Sequence, residues 1–190
     1  NIIKNFDIYK AYCFEPNPKV FKILKDNISS NGKIDLINYG ASNTSGEVVF
    51  NENIESSSSS LNELNTNSNY YKKKYLLLNF FNSKNVINKI KVYVITLDEF
   101  ISKNKINKID LLKIDTEGYE FQVLQGLKDK LNNVHLIHFE HHFDDMIIKD
   151  YKLTDIHNLL ISNGFEKKFK IKMKFRKSFE YLYENKKNSH

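Results

Sequence analysis

The reading turns on Ile109-Asp110-Leu111-Leu112-Lys113-Ile114-Asp115-Thr116-Glu117-Gly118-Tyr119-Glu120. Its first seven residues, IDLLKID, are an apolar run of strand length, and Glu117-Gly118 is turn chemistry. From Tyr119 to Leu131 the apolar residues Phe121, Val123, Leu124, Leu127 and Leu131 recur at helical spacing, which predicts a helix buried on one side. Strand, tight turn and helix in direct succession are the unit of an α/β fold.

The pattern repeats outward. Upstream, YKAYCF (Tyr9 to Phe14) predicts a strand stopped by Glu15-Pro16. Asn17 stands as helix cap and Pro18 in the first turn, ahead of Val20, Phe21, Leu24 and Ile28, whose spacing predicts an apolar face packed on a sheet. DLINY (35–39) and EVVF (47–50) predict two further strands around turns at Gly40-Ala41-Ser42 and Thr44-Ser45-Gly46. KVYVI (91–95) predicts another, and Thr96 with Glu99 forms a capping box that starts a helix carrying Phe100 and Ile101. Downstream, VHLIHFE (134–140) predicts a strand, about 152–162 a helix ended by Asn163-Gly164, and 165–173 with 176–183 a strand pair. Strands alternating with helices predict a mainly parallel sheet covered on both faces, with the last pair as its antiparallel edge. Residues 51–69, with serines at 56–60, predict a mobile loop, and 70–81 fits either a one-turn helix or an edge strand.

Composition bounds the function. The 190 residues suit a single domain with one core, and 41% hydrophobic with 27% charged residues excludes wholesale disorder. A lone Cys13 excludes an intramolecular disulfide and a cysteine zinc cluster, and is compatible with a cytoplasmic setting. No apolar stretch approaches the ~20 residues that a membrane helix needs. The net charge of +6 rests on lysines, with Arg176 the one arginine. Phosphate clamps and base readers favour the arginine fork, so a specific nucleic-acid partner is not expected.

Candidate chemistry lies at strand ends. Glu15, Asp115 and Glu140 each follow an apolar strand, and in open α/β sheets ligands bind beyond the carboxyl ends of the strands. An acid at Glu15 suits paired ribose hydroxyls, although a helix-start acid favoured by the dipole explains it too. Lys113, inside a strand expected to be buried, must pair with an acid or reach solvent. His138, Glu140 and His142 alternate along one strand with His141 on its other face. These residues could supply a general base or ordinary surface histidines, and no metal is expected.

The block around KIDTEG, together with Phe14-Glu15-Pro16-Asn17-Pro18, Thr96-Leu97-Asp98-Glu99-Phe100 and Val123-Leu124-Gln125-Gly126, resembles the FkbM family of S-adenosylmethionine-dependent methyltransferases over roughly residues 10 to 164. The resemblance implies a Rossmann-like methyltransferase sheet with a terminal antiparallel hairpin. It also implies S-adenosylmethionine as cofactor and O-methylation of a hydroxyl on a sugar or small metabolite. By this likeness Glu15 would hold the ribose, Ala41 and Ser42 would flank the adenine, and Asp115 and Glu117 would lie near the methionine moiety and the acceptor. Glu140, His141 and His142 would then be rivals, with Asp115, for orienting or deprotonating the acceptor. Ser59-Ser60-Leu61 looks like the family's serine-containing loop. Asn1 to Lys10 holds no glycine, whereas such folds open on a strand and a glycine-rich turn. The expectation is therefore one N-terminally truncated domain over 1–190 that lacks its first strand. The alternatives are a non-catalytic remnant that keeps the fold for binding and a basic nucleic-acid module.

Overall fold

The computed structural model describes residues 7–28, 32–53, 61–63, 65–69, 71–73, 76, 87–174 and 177–188. In chain order the elements are β1 (Ala11–Phe14), α1 (Pro18–Asn27), β2 (Ile34–Ile37), β3 (Gly40–Ser42), β4 (Gly46–Asn53), β5 (Ile87–Thr96) and α2 (Leu97–Lys103). There follow β6 (Ile109–Ile114), α3 (Glu120–Gln125), a 3-10 turn (Lys128–Asn133), β7 (Val134–His142), α4 (Leu153–Ser162), β8 (Phe165–Lys172) and β9 (Ser178–Asn185). The chain is thus a mixed α/β protein, and no helix among the described residues is long and apolar enough to cross a membrane.

Among the described residues the strands pair as β1-β2, as β3-β5-β4 and as β6-β7-β9-β8. The pairs β1/β2, β3/β5 and β6/β7 are parallel, and β4/β5, β7/β9 and β8/β9 antiparallel. The expected terminal hairpin is present, with β9 inserted between β7 and β8. Parallel pairing is less dominant than expected, because β4 runs back along β5 for eight residues.

Several boundaries differ from the sequence reading for identifiable reasons. Gly40 to Ser42 is a strand and not an exit turn, since it pairs with Val94 to Thr96. Asn51 to Asn53 extend β4 instead of opening a loop, and residues 54–60, where the whole serine run falls, lie outside the described residues. Residues 71–73 and 76 are helical, and the rest of 70–81 also lies outside them. The helix expected over 119–131 breaks at Gly126. A Cβ there would stand 2.0 Å from the Ser42 carbonyl oxygen, and the Gly126 carbonyl accepts Asp98 N–H at 2.9 Å. The chain then continues as the tighter 3-10 turn, with Leu127 N–H reaching Leu124 O at 3.2 Å.

Caps were legible. Asn17 Oδ1 accepts from Lys19 N–H at 2.9 Å, and Thr96 Oγ1 from Glu99 N–H at 3.2 Å. The Glu99 carboxylate takes the Ser45 hydroxyl at 2.6 Å, and that Ser45 oxygen receives Thr96 N–H at 3.1 Å, so a relay through Ser45 replaces the reciprocal half of the box. The core lies on one face of the β6–β9 sheet. There Phe139 stacks between Tyr181 and Tyr183 at centroid distances of 5.4 and 5.8 Å beneath Ile156 and Leu160 of α4. Helix α1 is less covered than expected: of its apolar face Phe21 and Leu24 are half-buried, Val20 is 40% exposed, and none of its residues is fully buried.

Candidate functional site

The turn after β6 is held open by backbone conformation. Glu117 and Gly118 have φ of +49° and +92°, two successive left-handed residues, a strained arrangement for the glutamate. Glu120, 1% exposed, locks this turn: one carboxylate oxygen accepts Gly118 N–H at 2.8 Å and the Thr116 hydroxyl at 3.1 Å, and the other accepts the Tyr151 hydroxyl at 2.5 Å. Burial and the Glu120 charge hold the Tyr151 phenol protonated, far above its ordinary range. From the other side Asn62 Nδ2 donates to the Gly118 carbonyl at 2.5 Å, and Asn51 Nδ2 to Asn62 O at 2.9 Å.

The locked turn projects Glu117 toward the end of β7. There the His142 imidazole meets three acids: Nε2 stands 3.3 Å from Glu117 and 3.5 Å from Glu140, and Nδ1 stands 3.6 Å from Asp144. His142, Glu140 and Asp144 are all at least nine-tenths buried. Burial alone would lower the imidazole pKa, but Asp144, Glu117 and Glu140 outweigh it and raise it above the ordinary value. For Asp144 burial pushes upward, while His142 and the Met146 N–H, 3.1 Å from Oδ1, carry the net shift downward. Lys149 Nζ donates to the His142 carbonyl, and burial lowers its pKa.

Strand alternation separates the two histidines as expected. His141 turns to the opposite face, with its ring 4.9 Å from Phe143 and 5.9 Å from Tyr151. Burial, assisted by Lys149 and His142, lowers its pKa to about 4, so at neutral pH it is an uncharged packing residue. His138 lies outside the cluster, 3.7 Å from Glu180.

The remaining expected site residues are dispersed. Asp115 pairs with Lys113 at 2.8 Å, and both side chains are over two-fifths exposed, so Lys113 is both paired and solvated on a strand face less buried than expected. Glu15 sits half-buried beyond β1, its carboxylate fixed by Asn17 N–H at 2.8 Å, and burial raises its pKa despite that bond. Ser42 is 1% exposed and shares a hydrogen bond of 3.0 Å with the Tyr119 hydroxyl, while Ala41 packs on the core. Of the residues named from sequence, Glu117, Glu140 and His142 therefore converge. Asp144, Lys149 and Asn62 were missed. Asp144 had a signal, since it continues the two-residue step of Glu140 and His142 beyond the strand. Asn62 had none, because only the fold brings it to Gly118. No group of three or more His, Cys, Asp or Glu among the described residues has the geometry to hold a metal ion.

The acid-and-histidine cluster stands at the carboxyl end of β7, the end of an α/β sheet beyond which ligands bind. The model of the methyltransferase FkbM domain matches residues 4–167, and the chain belongs to that family. It is also similar to the hexuronic acid methyltransferase AglP of Haloferax volcanii, with 25% identity over 133 residues, 70% of this chain and 47% of that protein. The chain thus spans about half the length of the curated relative it matches.

Proposed function

We propose that this protein is an S-adenosylmethionine-dependent O-methyltransferase whose acceptor is a hydroxyl of a sugar or sugar acid, with His142 as the base. The observation that carries this reading is the buried His142, set among Glu117, Glu140 and Asp144. The family supports the reaction class, and the relative's hexuronic acid supports the acceptor class.

The residues present fit the methyl donor at one end. Glu15 offers a half-buried carboxylate whose orientation is set by Asn17 N–H, suited to paired ribose hydroxyls. Ala41, Ser42, Asp115 and Glu117 complete the residues assigned to the donor side. When bound, S-adenosylmethionine supplies a methyl group activated by a sulfonium centre. His142 takes the acceptor's hydroxyl proton at Nε2. Asp144, facing Nδ1, orients the ring and favours the tautomer with its proton on that nitrogen. Glu117 and Glu140 stabilise the imidazolium that forms and orient the acceptor. A positioned base of this kind contributes ~10² to 10⁴ in rate. His141 remains a candidate in name, but its lowered pKa makes it the weaker base. Asp115, paired with Lys113, is the weaker candidate among the acids.

The test is transfer of labelled methyl from S-adenosylmethionine to glucuronic and galacturonic acid and to their neutral counterparts. The expected result is a labelled ether in the wild type and a loss of ~10² or more in kcat for His142→Gln, with donor binding unchanged. Donor binding without transfer to any sugar acceptor would remove the acceptor assignment. Failure of the folded chain to bind the donor would favour the non-catalytic remnant.

A further inference from the structure

The net charge of the chain is unevenly placed. Residues 165–190 hold nine of the 29 Lys and Arg but three of the 23 Asp and Glu, so the terminal hairpin region carries the whole +6 and residues 1–164 balance to zero. Composition bias toward lysine does not explain that concentration.

The strand register divides these cations by face. Lys168 pairs with Glu184 at 2.8 Å, and Lys186 lies 3.4 Å from Glu166. Lys167, Lys170 and Lys172 stand opposite Tyr183, Tyr181 and Phe179, on the face that carries α4, and form no ion pair among the described residues. Lys170 Nζ instead lies 4.1 Å from the Phe179 ring centroid and 5.8 Å from that of Phe143, a ring 51% exposed. At one end of this strip Lys167, Thr154 and His157 line a shallow depression floored by Tyr181 and Tyr183. At the other end Phe143 stands against the His141 ring at 4.9 Å, on the face of β7 opposite His142, where the chain leaves the strand toward Asp144.

We propose that this strip, from the Lys167 depression to Phe143, is a docking surface for an acidic oligosaccharide built of uronic acids. Carboxylates meet Lys167, Lys170 and Lys172, and the C–H face of a sugar ring lies on the exposed Phe143 ring, beside Phe179, which Lys170 covers. Successive same-face strand residues repeat at roughly 6.8 Å, which distributes charge along an extended chain instead of clamping one phosphate. A membrane surface fits less well, because the exposed Phe169 and Ile171 stand opposite Leu182 and Glu180 on the other face of β8 and so add no apolar area to Phe143 beside the three lysines. A nucleic acid fits less well because the described residues of the strip include no arginine fork. The role of the strip as an acceptor surface rests on the methyl-transfer reading, whereas binding to it does not.

The experiment is titration of the folded chain with an oligogalacturonate at low and moderate salt. A neutral gluco-oligosaccharide of equal length, a single-stranded DNA of equal charge and phosphatidylglycerol vesicles serve as comparators. The expected result is oligogalacturonate binding, weakened about tenfold or more by combined Lys167→Gln, Lys170→Gln and Lys172→Gln, and kept when the same lysines become arginine. Phe143→Ala weakens it as well, and Phe169→Ala does not. Absence of binding overturns the proposal. So does equally tight binding of the DNA, which makes charge the sole recognition, or a preference for vesicles that depends on Phe169. Methyl transfer to monomeric hexuronate is followed in the same glutamine variants. Its absence from the wild type with oligogalacturonate binding intact removes the enzymatic reading alone, and turnover without oligogalacturonate binding removes the docking strip alone.

Discussion

Replacing His141 by phenylalanine isolates one titration in the folded state. His141 is 4% exposed between Phe143 and Tyr151, and burial, with Lys149 and His142 nearby, lowers its pKa from 6.5 to about 4. In the unfolded chain the imidazole takes up a proton below pH 6.5, while the folded protein resists that proton until about pH 4. Its contribution to stability is therefore complete above pH 6.5 and is lost as the pH falls toward 4. Linkage over that interval gives a loss of about 2 kcal/mol at pH 5 and about 3 kcal/mol at pH 4. Phenylalanine keeps a ring against Phe143 and Tyr151 but cannot titrate. Urea unfolding of both proteins at pH 7, 6, 5 and 4 measures the effect. Taking the difference between the two proteins removes the opposite pH dependence of His142, whose pKa is raised, and following that difference with pH removes the fixed packing term. The phenylalanine variant should gain on the wild type by about 3 kcal/mol between pH 7 and pH 4. A difference that stays constant within about 0.5 kcal/mol over that range would falsify the assignment of a buried neutral imidazole at position 141.

Other outcomes follow from single contacts. Asp144→Asn removes the charge facing His142 Nδ1, so the pH at which methyl transfer rises should move down, seen as a shifted kcat profile with KM little changed. Gly126→Ala places a Cβ 2.0 Å from the Ser42 carbonyl oxygen, where only backbone movement relieves the clash, and thermal unfolding should report a loss of about 3 kcal/mol or more. Asn17→Ala removes both the cap on Lys19 N–H and the 2.9 Å bond to buried Glu52, for an expected loss of about 1–3 kcal/mol in urea unfolding.

Much of the fold was legible because its signals are local. IDLLKID, KVYVI and VHLIHFE are strands, and Asn17-Pro18 and Thr96 to Glu99 start helices, since apolar periodicity and capping chemistry act within a few residues. The misreadings fall where distant backbone intervenes. Gly126 looks like an ordinary helical residue until Ser42 O approaches it, and Gly40 to Ser42 looks like a turn until Val94 to Thr96 pairs with it. Lys113 was expected in a buried strand, yet its side chain is about two-fifths exposed.

The site divides in the same way. Alternation along β7 separates His141 from His142 and leads on to Asp144, and that much follows from the two-residue period of a strand. Which acids reach His142 does not. Glu117 comes from the turn after β6, 25 residues earlier, and its approach depends on parallel pairing of β6 with β7 and on a turn held by Glu120, Tyr151 and Asn62. The sequence by itself thus determined the family, the alternating α/β order and the strand ends that carry acids, because these depend on residue type and short-range period. Tertiary structure alone decided that His142 rather than His141 meets three carboxylates, and that Lys167, Lys170 and Lys172 line one face. Burial and electrostatic coupling are properties of surfaces brought together from distant parts of the chain.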